Sequence, residues 1–104
     1  MPIRYTTSTE EFVIDGLDLT GYEVIVSLSQ DLVELEGKAS SVTYDGNSTH
    51  VFLPLTQEQS AMFYEGDVYA QINWVTPDGI RDATLKTKVE WYDNLLDRVM
   101  TYGQ

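Results

Sequence analysis

Tyr22-Glu23-Val24-Ile25-Val26-Ser27-Leu28-Ser29 is the stretch on which the fold turns. Tyr22, Val24, Val26 and Leu28 alternate with Glu23, Ile25, Ser27 and Ser29. Period two is the period of a strand, and it places the first set on a core face. Gln30-Asp31 then reads as a tight turn and residues 32–36 as a second strand, with Val33 and Leu35 opposite Glu34 and Glu36. Residues 37–40 read as a loop. Further on, residues 41–44 and 49–53 form a hairpin across Asp45-Gly46-Asn47-Ser48, because Gly and Asn accept positive φ. Pro54 ends that strand, since it has no N–H for the ladder. Residues 55–63 read as a short helix, with Thr56 and Gln59 spaced as a capping box.

The second clear alternation is 68–75, with Val68, Ala70, Ile72 and Trp74 inward and Tyr69, Gln71 and Asn73 outward. Pro77-Asp78-Gly79 is a turn. Residues 80–91 read as one last strand. Its core face is expected to carry Ala83, Leu85, Thr87, Val89 and Trp91, with Arg81 nearer the turn. Upstream of the opening stretch, residues 1–9 read as a polar arm or edge strand. Residues 10–15 read as a short strand with Phe12 and Ile14 on one face, and Leu17 and Leu19 are expected to tuck under the sheet. Seven strands in 104 residues point to an all-β, antiparallel immunoglobulin-like β-sandwich with one short helix and a C-terminal apolar tail. A small barrel is the alternative. Residues 1–91 form the sandwich domain on this reading, and 92–104 a separate segment.

Composition narrows the function. Without cysteine there are no disulfides, thiolate metal sites or cysteine nucleophiles. The 17 acidic against 6 basic side chains give a net charge of −11, which repels nucleic acid and anionic lipid. No apolar run is long enough for a membrane span or the core of a signal peptide. His50 is the only histidine and reads as an outward strand residue. The acids sit mostly at turns or on outward faces, without the cleft that a paired-carboxylate hydrolase needs. Asp15-Gly16-Leu17-Asp18 and Asp78-Gly79-Ile80-Arg81-Asp82 cluster oxygens as calcium loops do, but neither matches the twelve-residue loop with its terminal Glu. No catalytic residue, cofactor or metal is therefore expected. Of the aromatics, Tyr22, Trp74 and Trp91 are expected in the core, and Tyr5, Tyr64, Tyr69, Tyr92 and Tyr102 at exposed edges. Exposed tyrosines suit a sugar platform or a protein interface.

Several phrases, in order, carry a family likeness. They are Ile3-Arg4-Tyr5-Thr6-Thr7-Ser8-Thr9-Glu10-Glu11-Phe12, Asp18-Leu19-Thr20-Gly21-Tyr22, Leu55-Thr56-Gln57-Glu58-Gln59, the strand at 68–75 with Pro77-Asp78-Gly79, and Leu95-Leu96-Asp97-Arg98-Val99-Met100. Together they resemble small prophage-encoded proteins of gut bacteria, and the layout is similar to the N-terminal β-sandwich domain of phage baseplate upper proteins. The resemblance implies a virion structural module made in the bacterial host cytoplasm, with other virion proteins and its own copies as partners, and it implies no catalytic residue. Baseplate upper proteins continue into long C-terminal regions. A chain ending at Gln104 is expected to dock as a small free-standing subunit.

The tail decides what such a module would contact. Leu95, Leu96, Val99 and Met100 fall at i, i+1, i+4 and i+5, one helical face, so helix is the first reading and an extended arm the second. A sandwich of this size does not need these four side chains for its core. Tyr92, Leu95, Leu96, Val99 and Met100 are the expected partner interface. The competing expectation is that the segment folds back over the domain's own open edge. A carbohydrate- or receptor-binding module is the alternative function.

Overall fold

The computed structural model describes residues 2–103. It is an all-β sandwich of two antiparallel sheets. In chain order the elements are β1 (Thr9–Asp15), β2 (Glu23–Gln30), β3 (Val33–Lys38), β4 (Ser41–Tyr44), β5 (Ser48–Pro54), α1 (Gln57–Ser60), β6 (Gly66–Val75), β7 (Arg81–Ala83) and β8 (Thr87–Trp91). One sheet runs β1-β5-β4; the other runs β3-β2-β6, with β7 and β8 both paired to β6. The chain crosses between sheets after β1, β3 and β5, which gives the immunoglobulin-like distribution of strands.

Alternation places the core as the sequence predicts. Val24, Val26 and Leu28 of β2 and Val68, Ala70, Ile72 and Trp74 of β6 are buried against Val51 and Leu53 of β5. One buried hydroxyl holds the β1–β2 crossover. The Thr49 hydroxyl accepts from the Leu19 N–H at 3.1 Å and donates to the Leu17 carbonyl. Leu19 is thus drawn into the core, whereas Leu17, expected beside it, is exposed.

Three local expectations are corrected. Gly37 lies in β3 and not in a loop, directly opposite Val26. A Cβ there would meet Leu53 Cδ1 at 2.5 Å, so any other residue would require the end of the Leu53 side chain to shift. The helix is four residues long, not nine. Its start is as predicted: Thr56 Oγ1 accepts from the Gln59 N–H at 3.1 Å and Gln59 Oε1 from the Thr56 N–H at 3.0 Å. It ends early because Phe63 turns away into the core, where its ring meets Trp91 edge-on with 5.0 Å between centroids.

The third correction concerns the last strand, which is two strands separated by a bulge. Asn73 pairs with Ala83, and Ala70 with Thr87. Thr84, Leu85 and Lys86 therefore oppose only Gln71 and Ile72, one residue too many. Thr84 holds the bulge, its Oγ1 accepting from the Ile72 N–H at 3.1 Å and its own N–H donating to the Ile72 carbonyl at 2.9 Å. An extra residue reverses every face beyond it. Thr87, Val89 and Trp91 keep the core side expected of them, while Arg81 and Ala83 move to the outer face beside Asn73. Leu85, expected inward, is 87% exposed.

Candidate interaction surface

The predicted interface segment is not helical. From Tyr92 onward the chain runs as bends and turns across the end of the sandwich. Its start is held by the N-terminal arm. Ile3 and Tyr92 form an isolated parallel bridge, with Arg4 N–H donating to the Tyr92 carbonyl at 2.9 Å and Tyr92 N–H to the Pro2 carbonyl at 3.0 Å. Asn94 then donates from Nδ2 to the Arg4 carbonyl at 3.0 Å, while its Oδ1 accepts from the Leu96 N–H at 3.0 Å. The far end is clamped by Gln57, whose Nε2 donates to the Met100 carbonyl at 2.7 Å and whose Oε1 accepts from the Met100 N–H at 2.8 Å. Helical spacing loses because local propensity over so short a segment is worth less than these contacts with distant residues.

Arg4 is the hub of this end, and the sequence offered no sign of it. Its residue exposure is 8%. Nε donates to the Phe63 carbonyl at 2.9 Å, Nη2 to the Ala61 carbonyl at 2.8 Å, and Nη1 to Asp97 Oδ1 at 3.0 Å. The guanidinium also lies over the Tyr64 ring, 4.4 Å from its centroid. Trp91 Nε1 donates to the Ser60 carbonyl at 2.8 Å. The carbonyls of Ser60, Ala61 and Phe63, left without helical partners as α1 ends, are thus met by side-chain donors from elsewhere in the chain. One planar fork joins the arm, the helix exit and the tail, a geometry that a lysine does not offer.

The five predicted interface residues divide. Leu95, Leu96 and Met100 are exposed. Tyr92 and Val99 are half-buried, and the Tyr92 hydroxyl donates to Glu90 Oε2 at 2.8 Å. That hydrogen bond, followed by burial and the nearby carboxylates, pushes the phenol above its usual value. The main chain of the segment is thus tied to the N-terminal arm and to Gln57 and does not lie along the edge of β1, while three of its apolar side chains face solvent. Among the other aromatics, Tyr64, Tyr69 and Tyr102 are exposed as expected, whereas Tyr5, in the arm, is half-buried.

A second cluster was missed because one partner lies far away in sequence. His50 sits between two carboxylates, with Nδ1 3.1 Å from Glu11 Oε2 and Nε2 2.9 Å from Asp45 Oδ2. Asp45 also builds the hairpin turn, its Oδ1 accepting from the Asn47 and Ser48 N–H groups, each at 2.8 Å. The hydrogen bond to His50, and then those backbone bonds, lower its carboxyl to about 2. The hydrogen bonds to Asp45 and then Glu11 raise the His50 imidazole above 6.5. A raised folded value means that the stabilisation is complete below the unfolded value and is lost as pH rises through the folded one. The Tm advantage of the wild type over His50→Gln is therefore expected to be largest in mildly acidic buffer and to shrink as pH rises past 6.5. A difference that stays flat across that range would contradict the ion-pair reading.

Among the described residues, no three His, Asp or Glu side chains are grouped so as to hold a metal ion. The acidic loops spend their oxygens on their own turns. Asp18 Oδ1 accepts from the Thr20 N–H and hydroxyl, and Asp78 accepts from the Thr76 hydroxyl. No helix among these residues is long and apolar enough to cross a membrane. Comparison with protein-family models, curated proteins and solved structures finds no match to this chain.

Proposed function

We propose that the chain is a non-enzymatic bacteriophage virion subunit, of tail, baseplate or head decoration, that acts by assembling with other virion proteins and with its own copies. The observation that carries this reading is the clamped tail. Its backbone is tied at Tyr92, Asn94 and Met100, yet Leu95, Leu96 and Met100 project into solvent. A segment already fixed in place loses little further freedom on docking, which favours it as an interface. The exposed tyrosines support a sugar platform less well. Tyr69 lies on β6, Tyr44 on β4 of the other sheet and Tyr102 in the tail, so no single element gathers them.

Particles induced from the cells that encode the chain, banded on a density gradient and examined by mass spectrometry, test the proposal. The chain is expected to band with the capsid and tail proteins in a fixed ratio. Recovery only from the soluble fraction, with none in the particle band, would contradict it.

A further inference from the structure

The sandwich is open along one side, and that opening has the chemistry of a peptide groove. β1 is hydrogen-bonded only to β5, and β8 only to β6, so both present a free edge. Between these edges lies a groove of about 550 Å³. Phe12 and Ile14 of β1 form one wall, and Ile72, Leu85 and Val89 the other. Among the described residues, the N-terminal arm covers sheet edge only at the bridge between Ile3 and Tyr92, and no strand lies on the free side of Thr9–Asp15. The bulge contributes as well, since it is what carries Leu85 out to the rim.

Glu10 points to the occupant. It is on the inward face of β1, opposite Leu53, and it lines the groove. Its exposure is 8%, yet no hydrogen bond or ion pair meets its carboxylate among the described residues. The Ser8 hydroxyl, two residues upstream, is buried without a partner. The Glu10 side chain is thus largely enclosed while its carboxylate lines the groove, where a cationic side chain of an occupant would pair with it. Glu11 and Asp15 add acidic character to the same wall against Lys88 across it, which itself reaches Asp67 at 3.7 Å.

We propose that this groove takes an extended segment of another protein, added as a strand to β1, with apolar side chains directed between the sheets and a lysine or arginine meeting Glu10. The free edge supplies main-chain pairing and the walls accept alternate side chains, the division of labour found in strand addition generally. A strand matching the seven residues of β1 spans roughly 23 Å. The net charge of −11 disfavours a second copy as the occupant and favours a basic segment. The proposal concerns a different surface from the tail and does not depend on the virion reading.

The probe is a capped synthetic peptide, Lys-Thr-Val-Thr-Val-Thr-Val, followed by NMR of the isotope-labelled full chain. Its lysine and valines share one face. Shifts and slowed exchange are expected at the β1 and β8 amides. Replacing the peptide lysine by norleucine is expected to weaken binding roughly tenfold to wild type and hardly at all to Glu10→Gln, because the coupling belongs to that pair. Leu85→Lys, at an exposed position, is expected to weaken binding without altering the fold. No shifts at millimolar peptide, shifts confined to other surfaces, or equal affinity for the two peptides in wild type would overturn the proposal. So would protection of the β1 edge by dimerisation of the free chain, which would make a second copy the occupant.

Discussion

Arg4→Met is expected to lower stability by about 3–5 kcal/mol, the cost of leaving the Ala61 and Phe63 carbonyls without their charged donor. In a domain of this size that corresponds to a fall in Tm of roughly 15 °C or more. The loss is large because methionine fills some of the volume but leaves the Ala61 and Phe63 carbonyls without donors in a part of the fold that water reaches poorly. Asp97→Asn is expected to cost less than about 1 kcal/mol, since the carboxylate end of that bridge is well exposed and a surface ion pair contributes little. Arg4→Lys is expected to fall between them, one ammonium being unable to serve three separated acceptors. Thermal melts of the three variants check this ordering. An Arg4→Met protein melting within about 2 °C of wild type would remove Arg4 from its place as the hub.

Trp91→Ala is expected to lower stability by about 3–5 kcal/mol through the cavity left behind. Trp91 is fully buried, packs against Phe63 and donates to the Ser60 carbonyl, so alanine empties the junction of β8, the helix exit and the arm together. Trp91→Phe keeps most of the ring packing and loses the indole donor. It is expected to cost about 1–3 kcal/mol, mainly for the carbonyl left unpaired. Urea midpoints at constant slope measure both. Equal midpoints for the two variants would mean that the indole hydrogen bond, rather than the packed volume, accounts for the whole effect.

These two residues illustrate what was legible beforehand. Trp91 was placed in the core from the alternation of its strand, and β2, β6 and the β4–β5 hairpin were read correctly for the same reason. Strand period and turn chemistry are local, so a single sequence displays them. Arg4 was not legible, because its acceptors lie 57, 59 and 93 positions away and nothing near it in sequence announces them. The bulge at Thr84–Leu85–Lys86 escaped because an inserted residue leaves the apparent alternation intact while reversing the true faces of Arg81 and Ala83. Helical spacing in the tail misled for a related reason: Gln57 and Asn94 hold that backbone in bends and turns through contacts that periodicity does not encode. The interface residues themselves rest on one apolar helical face that the core does not need, a criterion blind to what the folded main chain covers. That is why Leu95, Leu96 and Met100 emerge exposed while Tyr92 and Val99 are half spent on the domain.

The central claim is that the exposed apolar side chains of the clamped tail hold this chain in an assembly. Each would contribute about 1.5–3 kcal/mol if wholly removed from water, with part of that offset by lost freedom on association. A chain carrying Leu95→Ser, Leu96→Ser and Met100→Ser keeps Tyr92, Val99 and every backbone clamp. The measurement is the amount of this variant in gradient-purified particles relative to wild type, with the Tm of the free chain taken alongside. The account predicts a Tm close to wild type and a particle band depleted of the variant. Incorporation at the wild-type level would contradict it.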